Sequence, residues 1–330
     1  MTTYRKCALA AAALALSLSA ARADTPACSL GLMASLDMTA LPDARAAVPV
    51  TLNGTTYQFM VDTAGVFSKI SKDAVKQLGL SETPTSMELY GVKGKQRISA
   101  VDVASLKIGN NEAKHFHVAV EGGEMFKDRK FDGVFAADLL TLFDVEFDFG
   151  AEKMNLFSQD HCPGKVVYWT RSGYAELPFR LTSGPFGSGN HHIVLSMTLD
   201  GHDLSTDLDT GSTFTWMSTR DAATLFSIDD KSAGVERIPG VPADYPGVQK
   251  RFGLLQIGGV AVQNPMIEIV PDRSDEAFRM EHSEKSRDDP IYGSQLEHEQ
   301  LTLGMNVLTK LHLFIAYKEH KVYATAADAH

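Results

Sequence analysis

The stretch VPVTLNGTTYQFMVDTAGVFSKIS, residues 48–71, gives up the architecture once it is laid over VLSMTLDGHDLSTDLDTGSTFTWMS, residues 194–218. At a constant offset of 147 residues, Asn53-Gly54 falls on Asp200-Gly201 and Asp62-Thr63 falls on Asp209-Thr210. Phe67 on Phe214 and Ser71 on Ser218 keep that offset without a gap. Each copy is a β-rich run into an Asn-Gly or Asp-Gly turn, the strongest short hairpin signal. A returning strand ends in Asp-Thr, a short polar turn leads to another strand, and a Ser then stands as N-cap of a short helix. The helices are expected in KDAVKQLGL after Ser71 and TRDAATLF after Ser218, with Asp221 placed as in a capping box.

A second pair of segments repeats further along. FDGVFAADLLTLFDVEFDFGAEKMNLF (131–157) matches EQLTLGMNVLTKLHLFIAYKEHKVYAT (299–325), with Ala136 on Gly304, Asp138 on Asn306, Leu140 on Leu308 and Phe149 on Tyr317. The offset there is 168, so the second half carries about one loop more, expected in the polar stretch 271–295. Each segment reads as an apolar strand, a short helix and a closing hairpin. Between the repeats lie short strands, with a glycine-rich hairpin at Tyr90 to Gly94 in the first half and RFGLLQIGGVAVQNP (251–265) in the second. The expected fold is all-β: two similar, barrel-like lobes about a pseudo-twofold axis, with a few short helices. The expected divisions are 24–162 and 191–330, joined by a linker at 163–190 that contains SGPFGSGN. That run lacks the Lys-Ser/Thr of a phosphate loop.

The 330 residues, 44% hydrophobic and 22% charged, suit two units with real cores. Residues 1–23 have the form of a secretory leader: Arg5 and Lys6, an apolar run too short for a comfortable span, and Ala21-Arg22-Ala23 as a cleavage site. A periplasmic or secreted protein is expected, with no membrane contact after cleavage. The formal charge of −10 becomes more negative when Arg5, Lys6 and Arg22 leave, which argues against a nucleic-acid partner. Cys28 and Cys162 remain after the leader, an even pair in an oxidising compartment, and a bridge between them is expected. Two unpaired buried thiols are the alternative.

The chemistry sits in the repeated Asp-Thr. A pseudo-twofold fold brings equivalent positions together at the axis, so Asp62 and Asp209 would face each other. Two carboxylates held close cannot both ionise cheaply, and the pair shares a proton. Water between them can lose a proton to the ionised partner while the protonated one donates to a carbonyl oxygen. For one Asp-Thr alone, a strand end with an Asx-turn would suffice; two copies in one frame point to the pair. His115 with His117, and His191 with His192, lack companions at ligand spacing, so no metal is expected and they read as surface or core residues. Trp169 and Trp216 read as packed in or near cores, with a pocket wall as an alternative for Trp216.

Through the two Asp-Thr frames the chain resembles the aspartic proteases: bilobal pepsin-like enzymes in its repeat, bacterial retropepsin-like proteins in its short lobes. The resemblance covers roughly residues 45–157 and 190–325. It implies Asp62 and Asp209 as the catalytic pair, and Thr63 and Thr210 as threonines reaching across the axis. Gly65 and Ser212 take positions that bond the aspartates, next to Ala64 and Gly211. The resemblance also implies that Tyr90 and Gly91 belong to a flap over the substrate. It further implies a peptide or protein substrate, no cofactor, and a monomer sufficient for activity. Ala64 and Ala136 depart from the family's glycines, and Asn306 from its Asp. They motivate the alternative of a catalytically weak or inactive peptide-binding module on the same fold.

Overall fold

The computed structural model describes residues 29–328 apart from 92–93, 123–125, 128–129, 183–190, 242–245 and 272–298. The leader and Cys28 therefore lie outside the described residues, as does nearly all of the stretch 271–295.

Both hairpins form where the turn residues demand them. Asn53 and Gly54 have φ of 49° and 87°, and Asp200 and Gly201 have 45° and 86°. Two successive positive φ values are what a tight hairpin turn matching strand twist requires, and Asn, Asp and Gly tolerate them best. The strands so joined are Ala46–Leu52 with Thr55–Asp62, and Ile193–Leu199 with His202–Leu208. The expected helices follow, at Lys72–Gln77 and Thr219–Phe226, each begun by its serine. The Ser71 hydroxyl accepts from the Ala74 N–H at 3.2 Å, and the Ser218 hydroxyl from the Asp221 N–H at 3.0 Å. Ser218 also donates to the Asp221 carboxylate at 2.6 Å.

In the first half an eight-stranded sheet curls on itself. Its edge regions meet where Ala46–Leu52 also pairs with Gly94–Ile108, Thr51 opposite Lys107 and Leu52 opposite Leu106. Alternation along Ala46–Leu52 puts Val48, Val50 and Leu52 into the core. The two halves share one long sheet. In it Leu32–Asp37, Lys153–Phe157 and Asp144–Asp148 run on into Leu311–Ala316, Lys321–Ala326 and Ala175–Leu181. The pairing between halves obeys the repeat. Val145 faces Ile315, Phe147 faces Leu313, and Glu146 faces Phe314 between them. At an offset of 168 these pairs exchange with one another, so the pseudo-twofold axis passes through the Glu146/Phe314 pair.

The axis runs through apolar packing with a few buried acids, and each acid has partners. Glu146 accepts from Asn155 Nδ2 (2.6 Å) and Tyr168 Oη (2.6 Å), and meets His312 Nε2 at 2.9 Å. Asp144 meets His161 and accepts the Tyr317 N–H at 2.8 Å. A carboxylate buried without such partners would cost several kcal/mol, roughly.

One expectation needs correction. The stretch 163–190 is more than a linker, because Ala175–Leu181 is a strand of the shared sheet. It pairs with Lys321–Ala326 as Leu32–Asp37 pairs with Lys153–Phe157. Each closing hairpin would otherwise leave an open edge, and these two strands cover the equivalent edges. Ala175, Leu177 and Phe179 are buried while Glu176 and Pro178 are exposed, a period-two pattern visible in AELPFRL. Residues 183–190, with most of SGPFGSGN, are outside the described residues.

Candidate active site

Asp62 is the last residue of its strand, and Asp209 follows directly after His202–Leu208. Each strand is held from the side by a parallel strand of the second repeat. Val61 lies opposite Phe135 and Asp62 opposite Ala136; in the other lobe Leu208 lies opposite Leu303. A parallel partner on one side and the hairpin on the other fix where each Asp emerges.

The two Asp-Thr loops are tied to each other across the axis. The Thr63 hydroxyl donates to Leu208 O (2.6 Å) and accepts from the Thr210 N–H (3.1 Å). The Thr210 hydroxyl donates to Val61 O (2.9 Å) and accepts from the Thr63 N–H (3.0 Å). Both threonines are buried, so all four bonds are shielded from water. A buried hydroxyl removed from such a set leaves N–H and C=O groups unpaired at about 1–3 kcal/mol each. Threonine suits the position because its one oxygen both donates and accepts.

Each aspartate also accepts from its own loop: Asp62 Oδ1 from the Ala64 N–H at 3.2 Å, Asp209 Oδ1 from the Gly211 N–H at 2.8 Å. Ala64 is not among the residues with positive φ, so its backbone is one that an L-residue adopts without strain. The first loop thus keeps the bond that the second makes with glycine. A Cβ on Gly211 would lie 2.5 Å from both Cγ and Oδ1 of Asp62, so this glycine is what lets the second loop approach the first aspartate. Ser212 bonds its aspartate through its backbone and not through its hydroxyl. Its hydroxyl donates to Phe214 O at 2.8 Å, not to an aspartate, and its N–H bonds Asp209 O at 3.3 Å. Gly65 does the latter with Asp62 O, also at 3.3 Å.

The strands behind the loops repeat as well. The Ser68 N–H and hydroxyl both bond Asp138 Oδ1 (2.9 and 2.6 Å), and the Ala136 N–H bonds the Ser68 hydroxyl (3.0 Å). At the equivalent places the Thr215 N–H and hydroxyl bond Asn306 Oδ1 (2.7 and 2.8 Å), and the Gly304 N–H bonds the Thr215 hydroxyl (3.1 Å). In the sequence Ser68 and Thr215 are only two hydroxyl residues at the offset of 147, which does not disclose their role. Asn306 stands where the first lobe has Asp because it must also donate: its Nδ2 bonds Met266 O at 2.9 Å. Asn306→Asp sets a carboxylate oxygen against that carbonyl. At neutral pH it lowers stability by about 1–3 kcal/mol, read as a lower urea midpoint whose pH dependence an Asn306→Gln control does not share. An unchanged midpoint at neutral pH would remove this explanation.

Ala136 is also accommodated. A Cβ on Gly65 would lie 3.1 Å from the Ala136 Cβ and 2.8 Å from Asp62 Oδ2. In the other lobe a Cβ on Gly304 would lie 2.3 Å from Phe214 O, so that position has no room for a methyl, while Ser212 carries a side chain. The small pair in the first lobe is thus Gly65 with Ala136, while at the equivalent of Ala136 the backbone of Phe214 and Thr215 closes the space and leaves Gly304 bare.

The electrostatics separate the two acids. Burial pushes the Asp62 carboxyl up from the ordinary carboxylate range, opposed by Lys69, the N–H groups of Gly65 and Ala64, and His192. Asp209 is pushed well above that range, by burial first and then by the negative charges of Asp62 and Asp207. The two carboxyls therefore hold one proton between them over an acid range, with Asp209 the harder of the two to ionise.

The structure adds two residues beside the pair to which the sequence alone assigns no role there. Arg45, buried, donates from Nη1 to Gly211 O at 3.2 Å and from Nη2 to Asp43 at 2.7 Å, so a first-lobe cation holds the second active loop. His192 is neither a plain surface nor a plain core residue: its Nδ1 lies 3.0 Å from Asp207 Oδ2, two residues before Asp209. Arg45 and His192 fall on each other at the offset of 147, a signal hidden because their chemistries differ.

The remaining candidates lie elsewhere. The strands Thr83–Gly91 and Gly94–Ile108 form the expected hairpin, Tyr90 opposite Lys95 and Gly91 opposite Gly94, with residues 92–93 at its tip outside the described residues. His115 and His117 are exposed on Asn111–Glu121. Trp169 packs on His312 with ring centroids 4.2 Å apart. Trp216 begins the strand Trp216–Ser218 beyond the second active loop and is 37% exposed, so it is not a core residue. Cys162 follows His161, but its expected partner Cys28 lies outside the described residues.

Residues 48–138 match the family described as aspartyl protease. The structure is similar to the aspartic proteinase from Irpex lacteus, with a TM-score of 0.53 at 14% identity, over 91% of this chain and 98% of that one. At that identity the likeness speaks for the fold. No curated protein matches the sequence. The first half of the chain thus matches the aspartyl protease family over residues 48–138, and the whole has the fold of an aspartic proteinase.

Proposed function

We propose that the chain is an endopeptidase that hydrolyses peptide bonds with Asp62 and Asp209 as its catalytic pair. The observation that carries this is the cross-axis set of four Thr63/Thr210 bonds, which presents two acids of unequal proton affinity on mutually fixed loops. A water between them gives a proton to ionised Asp62 as its oxygen attacks the amide carbon. The Asp209 proton passes to the carbonyl oxygen. On collapse of the tetrahedral adduct, Asp62 returns its proton to the leaving nitrogen and Asp209 regains one from the hydroxyl. No covalent enzyme intermediate forms. One chain supplies both acids, so a monomer suffices. The substrate lies extended between the lobes under the hairpin that carries Tyr90 and Gly91, as an added strand.

The pH dependence follows from the two raised acidities. Cleavage of a denatured protein rises as Asp62 ionises and falls as Asp209 loses its proton, giving a bell with its maximum on the acid side of neutrality. The check is initial rate between about pH 3 and pH 8. A rate that climbs steadily across that whole range would count against the shared proton. The same proposal includes export, with the leader cut after Ala23 and a Cys28–Cys162 bridge formed outside the cytoplasm.

A further inference from the structure

Asp207 is the last residue but one of the strand His202–Leu208 and Asp209 follows that strand directly, close enough for the charge of Asp207 to act on Asp209. In the first lobe the equivalent of Asp207 is Met60, a buried apolar residue. The second lobe therefore adds a third acid beside the pair where the first adds none. Asp207 is 6% exposed, and among the described residues its Oδ1 has no hydrogen-bond partner. Its Oδ2 is held by His192, which stands at the position equivalent to Arg45. Each lobe thus sets one cation next to the active loops. In the first it is permanent, in the second it can titrate.

We propose that His192, pinned by Asp207, is a positioning residue that offsets the negative charge around Asp62 and Asp209 and so fixes the pH range over which the pair shares its proton. The proposal rests on the catalytic assignment above for its effect on rate, but not for its effect on charge. Burial works against a protonated His192 ring, and the hydrogen bond and charge of Asp207, with Asp209 and Glu299, more than offset it. The protonated ring in turn makes ionisation of both Asp62 and Asp209 easier, while Asp207 makes that of Asp209 harder. The other charges around these groups are already engaged: Lys69 with Glu121 at 2.6 Å, Arg45 with Asp43, and Arg180 near Glu299 at 3.9 Å. His192 and Asp207 together form a neutral unit, and removing either half exposes the charge of the other.

That gives opposite signs for two neutral replacements of similar shape. His192→Gln leaves Asp207 uncompensated and moves the ionisation of the pair upward by about one pH unit. Asp207→Asn leaves a protonated imidazole at acidic pH and moves the first ionisation downward by a similar amount, roughly. The double variant His192→Gln/Asp207→Asn, neutral again, returns close to the native midpoints. The measurement is a titration of the full chain carrying ¹³C-labelled aspartate carboxyls, followed by NMR, with Asp62→Asn and Asp209→Asn variants to assign the signals. The cleavage pH profile is recorded on the same samples and is expected to shift in the same sense.

Shifts of opposite sign that cancel in the double variant support the proposal; a purely structural role lowers the rate without them. Midpoints unmoved in both single variants, or moved in the same direction, overturn it. If His192→Gln does not fold, the downward shift in Asp207→Asn decides alone. If no sample cleaves protein at any pH, the endopeptidase assignment falls, and the carboxyl titration still decides the role of His192.

Discussion

Asp62→Asn and Asp209→Asn each lower kcat for peptide-bond cleavage by about a hundredfold to ten-thousandfold, the range general acid–base groups contribute. Neither loss comes from unfolding. Asn keeps the Oδ1 that accepts from the Ala64 or Gly211 N–H, and the Thr63/Thr210 bonds do not involve the carboxyls. The stability effect has a definite sign. A carboxyl whose native pKa is raised binds its proton in the folded state at pH values where the unfolded chain has lost it. Stability from that group is complete below the unfolded value and declines as pH rises through the folded one. Asp209 is raised further than Asp62, so Asp209→Asn gives the larger rise in urea midpoint at about pH 7, and little change at about pH 3. A less active protein that is more stable at neutral pH is the expected combination. Wild-type kcat in either variant would exclude the pair as the catalyst.

The second large effect lies at the neighbouring position. Gly211→Ala places a methyl 2.5 Å from Asp62 Cγ, closer than non-bonded atoms come. Either the carboxyl or the loop must move, and a misplacement on the order of 1 Å at reacting groups costs about a hundredfold in rate. The equivalent position in the first loop already carries the methyl of Ala64. Ala64→Gly therefore produces a smaller change of opposite sign, a higher kcat, because it opens the place that corresponds by the pseudo-twofold to Gly211. Both variants are compared by kcat at the optimum pH, with urea midpoints to separate loss of fold from loss of rate. Equal rates in Gly211→Ala and wild type would show that the approach of the second loop to Asp62 does not matter.

What the sequence reveals depends on whether a physical requirement leaves the same residue type in both copies. Asn53-Gly54 and Asp200-Gly201 recur because two positive φ values admit few residues, and Asp-Thr recurs because the bonds across the axis need an oxygen that gives and takes. These make the fold and the candidate pair legible together. Ser68 and Thr215 recur too, yet a hydroxyl near a turn is common, and only the bonds to Asp138 and Asn306 show its purpose. Ala175–Leu181 is hard to read because its composition differs from that of its counterpart Leu32–Asp37. Covering an edge requires only a strand, so the alternation is the sole trace. Arg45 and His192 are hidden for a related reason: at equivalent positions they bind different groups, Gly211 O and the Asp207 carboxylate, so the residue type does not repeat. The departures at Ala136 and Asn306 look like losses in isolation. With their neighbours Gly65 and Met266 in view, each is an accommodation.

The most direct test is calorimetric titration with a peptide whose scissile amide is replaced by a tetrahedral, hydroxyl-bearing centre of the pepstatin type. If Asp62 and Asp209 act as a proton-sharing pair, the mimic binds at least about a hundredfold more tightly than the parent peptide. The binding weakens as pH rises through the ionisation of Asp209, and the preference is lost in the Asp62→Asn/Asp209→Asn double variant. Binding of mimic and peptide with equal affinity at every pH, unchanged in the double variant, would contradict the account and leave a peptide-binding protein on this fold.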